Sequence, residues 1–520
     1  MLINLIISAS FSSIIIRQLM IKMDVQDYEY YEARAKDVKL ENITSSQHNA
    51  DILARIRDDD PDFTKLCVTD HVFLSRRSSD YLPEEGDNLG WLGYIIGRSK
   101  LLQELHIIHN PNNVNIDAFC GGVGYNRSIQ NLSISIDLGE GFKSLVPFLR
   151  NNKSLSDLTF DFENSIELRC ARSIAVLLGQ QSSLKCLSFE EADLGDEGLL
   201  EIAATLSKQP QLEELDLSGN NISMDGCVAL GSALEGMRNP KLATLDLGRN
   251  DIDDEGLHAL VAGLINCHNL TSLNLNENEL ITGAGLRSLS LYALLQSDRC
   301  CLECLFLDGL NIDNDGVGVL VAGLVTLPAL QKLDLCSNRI SDQGVQAYVD
   351  LSKNSFSVSV SVSGLRSLGT LIQRTTSLKS LYLGSNNIDD TGLQGLVDDM
   401  TTRSSLTHLD LSYNDSITAV GLRTLSAFFR SDNCCLKKLS LWGIDFGDDG
   451  VVALADGLMC NKSLTDVNFR SRGITSRGWS AFSKLLCDTA SVNNTYLSNH
   501  TLERIGEFFH PNTPSDLWNI

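Results

Sequence analysis

Leucines recur along the chain at a spacing that predicts short strands. Two copies of the pattern, thirty residues apart, are Leu212-x-x-Leu215-x-Leu217-x-x-Asn220 and Leu242-x-x-Leu245-x-Leu247-x-x-Asn250. Side chains alternate across a strand, so the leucines face one side and the polar residues between them face the other. The asparagine that follows lies at a turn, where its amide can bond backbone groups that have no partner in the sheet.

A helix is predicted after each strand. Gly256 follows three residues after Asp253, and apolar residues follow the glycine at intervals of one, four and eight. Ser, Thr, Asp and Gly all serve as helix N-caps, and the apolar spacing places Leu257, Leu260 and Leu264 on one helical face. We expect the glycine to let the start of the helix pass close to the strand layer. The same offset recurs in Gly195/Gly198, Ser223/Gly226, Thr282/Gly285, Asp313/Gly316, Ser341/Gly344, Asp389/Gly392, Thr418/Gly421, Gly447/Gly450 and Thr475/Gly478.

These strand–helix units repeat along most of the chain. Strands are predicted to start at Leu102, Ile129, Leu155, Leu184, Leu212, Leu242, Leu270, Leu302, Leu330, Leu378, Leu406, Leu436, Leu464 and Val492. One unit cannot bury both its strand face and its helix face, whereas stacked neighbours bury both, so the fold is a one-dimensional array. The last strand, from Val492, is predicted to lead into a short helix that carries Leu502, Ile505 and Phe509 and closes the array.

One interval between strands is anomalous. Leu330 and Leu378 are 48 residues apart, and removing Val345–Gly364, with its alternating Ser and Val, restores an interval of 28. We therefore interpret residues 345–364 as an insertion into an intact repeat. Two origins stay open: an extra loop or hairpin, and a retained intron in the gene model.

The repeat geometry predicts a curved solenoid. Parallel strands lie about 4.8 Å apart and packed helices about 10 Å apart, so an array with strands on one side and helices on the other must bend. We predict an α/β leucine-rich repeat solenoid, a horseshoe with parallel strands on the concave face and helices on the convex face. Repeats near 28 residues, each with a full helix, resemble the ribonuclease-inhibitor type.

The end segments carry a second resemblance. Gly90-Trp91-Leu92-Gly93 and Leu497-Ser498-Asn499-His500-Thr501-Leu502 are similar to the ends of the expanded leucine-rich repeat family of diatoms and other protists. Most members of that family have no known role. Both resemblances are specific for fold and weakly specific for function.

The chain outside the repeats divides into three further parts. We expect residues 1–48 to form an N-terminal segment, 49–101 a helical cap, 102–510 the repeat array and 511–520 a C-terminal tail. Residues 1–23 are apolar and contain no acidic residue; a targeting segment and translation that starts at Met23 are both compatible with this pattern. The apolar run before Arg17 is too short for a transmembrane span, and the charged residues 24–48 are expected to be mobile.

Charge and cysteine usage narrow the partners and the compartment. A net charge of −24 disfavours nucleic acid and membrane surfaces and favours a basic protein partner. The fourteen cysteines lack the tight end-cap cluster typical of secreted repeat proteins, so we expect reduced thiols and a cytoplasmic location, with a nuclear one as the alternative. Cys301 and Cys304 have ligand-like spacing, but no second pair accompanies them, so no metal site is predicted.

Sequence motifs for catalysis are absent. The chain contains no P-loop, no His-Glu-x-x-His, no Gly-x-Ser-x-Gly and no kinase signature. We therefore predict a protein that is not an enzyme and that uses no cofactor.

The outward strand positions carry the candidate binding residues. Acidic residues recur there with aromatic residues among them, a combination that protein interfaces favour. The predicted partner-binding residues are Asp216, Asp246, Phe306, Asp334, Tyr382, Asp410, Tyr413 and Trp442. Aspartate is common at this position in such repeats, so the acids also have a purely structural interpretation. The outward position before them holds Lys332 and Lys438 as well as acids such as Asp466.

Two functions are compatible with these features. The first is a non-enzymatic scaffold that binds a protein partner on an acidic, aromatic-dotted concave face. The alternative is a regulator of an enzyme: an inhibitor, as the subfamily resemblance implies, or a GTPase activator similar to the Ran GTPase-activating family. Members of that family end in a long acidic tail, which the last residues of this chain do not resemble.

Overall fold

The computed structural model describes two compact units, Met1–Leu245 and Asp246–Ile520, which we call unit 1 and unit 2. The residues described are 28–506 except 70–77, 85–86, 109–115, 136–151, 161–165, 167, 180–182, 238–239, 292–299, 326, 328, 341–362, 403 and 471–473. The apolar N-terminal stretch, the tail 511–520 and nearly all of the predicted insertion lie outside them.

Unit 1 contains parallel strands in the order β2-β1-β3-β4-β5-β6-β7. The strands are β1 (Lys65–Val68), β2 (Asp80–Tyr81), β3 (Glu104–Ile108), β4 (Asn131–Ser135), β5 (Asp157–Phe160), β6 (Cys186–Ser188) and β7 (Glu214–Asp216). The helices are α1 (Gln47–Arg57), α2 (Leu89–Arg98), α3 (Ile116–Val123), α4 (Leu168–Leu178), α5 (Gly195–Leu206) and α6 (Met224–Gly236). A further helix spans residues 28–34.

Unit 2 repeats the same plan. Strand β8 (Thr244–Asp246) lies at the unit boundary, and β9 (Ser272–Asn274), β10 (Cys304–Phe306), β11 (Lys332–Asp334), β12 (Ser380–Tyr382), β13 (His408–Asp410), β14 (Lys438–Trp442), β15 (Asp466–Arg470) and β16 (Arg504–Ile505) follow. The helices are α7 (Asp254–Leu264), α8 (Gly283–Leu291), α9 (Asn314–Leu324), α10 (Ser363–Arg374), α11 (Asp390–Thr402), α12 (Ala419–Phe429), α13 (Gly447–Leu458), α14 (Ser476–Leu486) and α15 (Val492–Leu497). Strands β9 to β16 pair in parallel, each with its neighbour in sequence.

This architecture confirms the predicted α/β leucine-rich repeat fold. In most of the three-residue strands the middle residue, such as Leu333 or Leu409, is buried against the helices, and the residues on either side are partly exposed. The apolar helix positions are buried as well, for example Leu257, Leu260 and Leu264 at 0% exposure. Strand alternation and helical periodicity therefore supply the two halves of one core.

Buried asparagines tie several repeats to the one before. The Asn278 amide donates to the carbonyls of Leu247 and Leu275, both at 2.9 Å, and its oxygen accepts from the Ile252 amide at 3.1 Å. Asn414 makes the same kind of bonds four repeats further along. The predicted role of the asparagine, bonding backbone groups at the turn, is thus confirmed, and its partners lie in two neighbouring repeats.

Helix starts are capped in two ways. Some helices cap themselves: the carboxylates of Asp253, Asp313 and Asp389 accept from the amide three residues on, at 2.7, 2.8 and 2.8 Å. Helices between them are capped from the preceding repeat, because Asp196 accepts from the amides of Ser223 and Gly226 at 2.8 and 3.0 Å. Ser223 makes no cap bond in its own helix, so its predicted capping role is wrong.

The helix-start glycines make room for these carboxylates. A Cβ on Gly226 would lie 2.4 Å from Asp196 Oδ1, and a Cβ on Gly421 would lie 2.5 Å from Asp390 Oδ1. The sequence-based explanation, close passage to the strand layer, is therefore corrected. At Gly226, Gly285, Gly421 and Gly478 the close neighbour is the capping aspartate of the preceding repeat.

The C-terminal repeat differs from its prediction. Val492–Leu497, predicted to contain the last strand, is helix α15, and the strand that pairs with β15 is β16. The reason lies at Asn499, whose amide donates to the carbonyls of Leu458 and Asn461 and whose oxygen accepts from Leu502. This turn places the strand after Asn499, and Ile505 is on that strand, not on a helix; Phe509 lies outside the described residues.

Two boundaries of the predicted segments also shift. Ser363 and Gly364, predicted to end the insertion, begin helix α10, where Gly364 lies against the Asn314 side chain of the preceding repeat. Residues 28–48, predicted as part of a mobile segment, include Tyr31 and Ile43, both buried, and the Ile43 carbonyl accepts from Asn88 at 3.1 Å. This stretch therefore packs against the cap helix α2.

The capping arrangement predicts a stability change at Asp390. Its carboxylate accepts from the Thr418 amide and hydroxyl at 2.8 and 2.6 Å and from the Gly421 amide at 2.8 Å. Replacing Asp390 with Ala removes these acceptors and should lower the free energy of unfolding by about 1 kcal/mol. Urea denaturation measures the loss, and amide hydrogen exchange at Thr418 and Gly421 locates it. Asp415→Ala, at an exposed loop carboxylate, is the control; an equal loss there would contradict inter-repeat capping.

Candidate functional site

The outward side chains of the strands in unit 2 form a surface that we call the strand face. Strand pairing aligns these side chains in two rows. The first row is Ser272, Cys304, Lys332, Ser380, His408, Lys438 and Asp466. The central row is Asn274, Phe306, Asp334, Tyr382, Asp410, Ser440 and Asn468.

Several predicted binding residues meet in the central row. Asp334 lies between Phe306 and Tyr382 on neighbouring strands, and Asp410 lies beyond Tyr382. Asp246 lies next to the first residue of the row. Its Oδ2 accepts a hydrogen bond from the side-chain amide of Asn274 at 2.8 Å. Asp216 belongs to unit 1, at the end of β7.

The aspartates of this row have a structural task. One carboxylate oxygen of each accepts from the backbone amide two residues on. The distances are 2.9 Å for Asp246 and Gly248, 3.2 Å for Asp334 and Cys336, 2.9 Å for Asp410 and Ser412, and 3.0 Å for Asp216 and Ser218. Asn274 makes the same bond to Asn276 at 3.0 Å without a charge. The bond requires an oxygen acceptor at the strand end, and the negative charge is additional.

Burial changes the acidity of one of these groups. The pKa of Asp334 is raised, mainly by burial and in part by the nearby Asp308, against the lowering effect of the Cys336 amide. A raised pKa leaves this carboxylate the more readily neutralised by protons.

Phe306 and Tyr382 are bridged by a cation of the chain itself. The Lys332 ammonium lies 4.4 Å from the centre of the Phe306 ring and 4.9 Å from that of Tyr382. An ammonium at this distance is attracted by the ring faces. The two predicted aromatic anchors therefore flank a lysine, and a partner that contacts their faces must do so beside it.

Tyr413 and Trp442 form a second aromatic group at the far end of strands β13 and β14. The Tyr413 amide donates to the Trp442 carbonyl at 2.7 Å. Tyr413 is 55% exposed and has a positive φ of 56°, and a Cβ on Gly443 would lie 2.5 Å from its ring. The Arg470 guanidinium is 5.7 Å from the centre of the Trp442 ring. Glycine at position 443 thus leaves room for the tyrosine ring beside the next repeat.

The first row is basic where the central row is acidic. Lys438 is exposed and Lys332 partly exposed, and His408 stands between them in register, separated from Lys332 by Ser380. The His408 Nδ1 is 2.8 Å from the Thr407 hydroxyl. Its pKa is lowered by partial burial first and by Lys438 next. The sequence pattern contained these lysines, but the opposite sign of the two rows emerges once the strands are aligned.

In unit 1, residues of strands β3 to β7 line a polar cavity of about 330 Å³. Hydroxyls and carboxylates line it, including Ser133, Thr159, Asp157 and Glu214. Cys186 also lines it, but burial and the neighbouring Asp157 carboxylate raise the pKa of this thiol. A thiol nucleophile requires the opposite shift, so the cavity lacks an activated nucleophile at Cys186.

The described residues contain neither a metal-binding cluster nor a membrane-spanning helix. Among them, no group of three or more His, Cys, Asp or Glu side chains is placed to hold a metal ion. In the same part of the chain, no helix combines the length and the apolar character needed to cross a bilayer.

Comparison with known proteins identifies the repeats. The Leucine Rich repeat family model matches residues 180–203, 209–231, 238–261, 266–290, 327–347, 375–397 and 403–426. The ribonuclease inhibitor of Sus scrofa is 27% identical over 376 residues, which cover 69% of this chain and 80% of that protein. The inhibitor of Mus musculus is 27% identical over 308 residues, covering 58% and 61%.

A second group of relatives is much longer than this chain. NACHT, LRR and PYD domains-containing protein 5 of Bos taurus is 27% identical over 300 residues, which cover 56% of this chain. The match covers 24% of that relative, so the chain spans about a quarter of its length.

The charge pattern around His408 predicts how its pKa responds to mutation. Replacing Lys438 with Gln removes a positive charge that disfavours the imidazolium, so the pKa of His408 should rise toward its ordinary value. NMR titration of histidine-labelled protein measures the change. The control is Lys462→Gln, at an exposed lysine on the turn before β15, and it should leave the pKa unchanged. A downward shift in the Lys438 variant would contradict the assigned cause.

Proposed function

Because the chain is a leucine-rich repeat protein of the ribonuclease-inhibitor type, we propose that the strand face of unit 2 binds a protein partner and catalyses no reaction. The observation that carries the proposal is the pair Tyr413 and Trp442, an exposed aromatic residue in the turn after β13 and a partly exposed one at the end of β14. Large aromatic side chains are over-represented among the residues that dominate binding energy at protein interfaces.

The backbone around these aromatics favours binding. A backbone hydrogen bond joins Tyr413, in the turn after β13, to Trp442 at the end of β14, and both strands belong to a continuous parallel sheet from β9 to β16. Side chains on such a layer lose little conformational freedom when a partner docks, so the ordering cost of binding is small. Phe306 on β10 and Tyr382 on β12, on either side of Lys332, extend the same surface.

The charge of the chain favours a basic partner. Asp246, Asp334 and Asp410 line the central row, and the protein as a whole carries −24. A field of one sign speeds the encounter with an oppositely charged partner, and salt screens that effect. In this proposal the aspartates act on the association rate, and the aromatics hold the complex together.

A more specific version of this function is inhibition of an enzyme. The alignment to the Sus scrofa ribonuclease inhibitor covers 80% of that protein, which supports an inhibitor over a GTPase activator. Titrating the protein into ribonuclease and GTPase assays separates the two. Stoichiometric loss of nuclease activity supports the inhibitor; faster GTP hydrolysis supports the activator.

We also propose a reducing compartment, the cytoplasm or the nucleus. Cys186, Cys267, Cys304, Cys336 and Cys434 are thiols, and Cys267 and Cys434 are buried. Burial raises the pKa of Cys267 to about 12, which keeps this group protonated and unreactive in the folded protein.

The strand-face proposal predicts separable kinetic effects. A partner captured from the native organism would be measured by surface kinetics against variants whose fold is checked by circular dichroism. Tyr413→Ala and Trp442→Ala should each raise the dissociation rate, at about 2 kcal/mol for a true anchor. Trp479→Ala is the matched control, because this tryptophan is 49% exposed on helix α14. A response in the control, with none at Tyr413 or Trp442, would place the site on the helices.

The aspartates predict a change in association rate. The double variant Asp246→Asn with Asp410→Asn removes two charges from unit 2 and keeps the oxygen acceptors, as Asn274 shows is structurally compatible. Association should slow, and the effect should be larger at low salt than at high salt. An association rate that does not depend on these charges at low salt would contradict the basic partner.

The compartment proposal predicts full thiol labelling after unfolding. Alkylation in denaturant without reductant should add a label to each of the fourteen cysteines, read as intact mass. The folded protein should leave Cys267 and Cys434 unlabelled because both are buried. If most cysteines resist labelling in denaturant, the reducing compartment is wrong.

A further inference from the structure

We propose that the first row of the strand face in unit 2 binds carboxylate side chains of the partner, so that the partner segment carries acidic residues along one edge. This inference rests on the proposed function and adds the chemistry of the bound segment. The site consists of Lys332, His408 and Lys438 from that row, together with Lys379 and Lys437, which lie beside it. We call these five residues the basic row.

Strand register brings these five residues together. Lys332, His408 and Lys438 share the first outward position on β11, β13 and β14, with Ser380 of β12 between the first two. Lys379 and Lys437 come directly before the outward positions of β12 and β14, and both are exposed. Four adjacent strands therefore present basic or neutral groups at this level.

The acidic residue of the first row, Asp466, lies at the edge of the basic row and not inside it. The next residue in register after Lys438 is Asp466, which is buried and forms an ion pair with Arg504. Among the described residues, none of the four lysines forms an ion pair with a carboxylate. The Lys379 ammonium donates instead to the Thr376 carbonyl at 3.2 Å. The positive charge of the row is thus available to a ligand.

An acidic row runs alongside. Asp334 and Asp410 stand two residues after Lys332 and His408 on the same strands, a rise of about 6.6 Å along a strand. Two strips of opposite charge at this spacing match a partner segment with acids on one edge and basic groups on the other. The opposite alignment would bring like charges together, so this pattern selects one orientation of the partner.

Protein carboxylates suit the row better than a nucleic acid. A phosphate backbone carries negative charge along its whole length, and part of it would face the aspartates of the central row. The chain also carries −24 overall, which repels a polyanion as it approaches. A protein segment can place its acids over the lysines and its basic or apolar groups over Asp334, Asp410 and the aromatics.

The test uses labelled synthetic probes, so it does not depend on the native partner. Fluorescence anisotropy at low salt would follow a decapeptide of alternating Glu and Lys, which carries its acids on one edge when extended, and a ten-nucleotide single-stranded DNA on the full chain. We expect the peptide to bind, and the double variant Lys437→Glu with Lys438→Glu to weaken it about tenfold or more. The single variant Lys438→Gln, with a smaller charge change at an exposed side chain, should weaken it by less.

A matched double variant controls for net charge. Arg423→Glu with Lys462→Glu makes the same charge change at exposed positions outside the strand face and should leave peptide binding within about twofold of the unmodified chain. Equal weakening by both doubles, no binding of the peptide, or tighter binding of the DNA with the same dependence on Lys437 and Lys438 would each overturn the proposal.

The basic row and the aromatic binding site of the proposed function can fail independently in these experiments. If Tyr413→Ala and Trp442→Ala leave partner dissociation unchanged while the peptide depends on the lysines, the basic row stands and the aromatic site falls. If the aromatics control the partner but the peptide ignores the lysines, the aromatic site stands and the basic row falls.

Discussion

The buried asparagine that follows the strand in several repeats is the interaction on which the stacking of those repeats depends. Asn220, Asn278, Asn386 and Asn414 are 0% exposed, and their amides bond carbonyls of the preceding repeat as well as their own. An unpaired polar group at such a site costs about 1–3 kcal/mol. Because some of these bonds cross to the preceding repeat, stacking in sequence order satisfies polar groups that one repeat alone leaves unpaired.

The capping aspartates likewise connect neighbouring repeats, on the helix side of the array. Asp196, Asp254, Asp390 and Asp448 each reach forward to the helix start of the next repeat, and glycine there leaves the space. Each repeat is therefore joined to its neighbours along the turn, through the strand pairing and at the helix start. The strand face inherits its regular spacing from these ties.

That regularity shapes the function we propose. Central-row aspartates support the turns through one oxygen and keep a negative charge that a partner can meet. Lys332 engages Phe306 and Tyr382 within the sheet, whereas Tyr413 and Trp442 project at the strand ends. Cationic and anionic rows lie side by side, and they favour a partner with a matching pattern over one that is simply basic.

The sequence by itself determined the repeat, its strands and helices, and which residues face outward. Local periodicity suffices for these, since alternation in a strand and spacing on a helix are properties of neighbouring residues. Leu212, Leu215 and Leu217, for instance, place Asp216 outward without reference to any other repeat. Local periodicity mispredicted the terminal strand, because Val492–Leu497 has the spacing of the leucine pattern but forms a helix. Asn499 bonds carbonyls of the preceding repeat, and the strand follows it at Arg504–Ile505.

Only the tertiary structure decided which residues meet across repeats. Asp390 and Thr418, or Lys332 and the rings of Phe306 and Tyr382, are separated by one repeat or more in sequence, and stacking alone makes them neighbours. The sign of each row on the strand face follows the same rule. Each strand contributes one residue to a row, so the electrostatic character of the surface is a property of the strand register and not of any single segment.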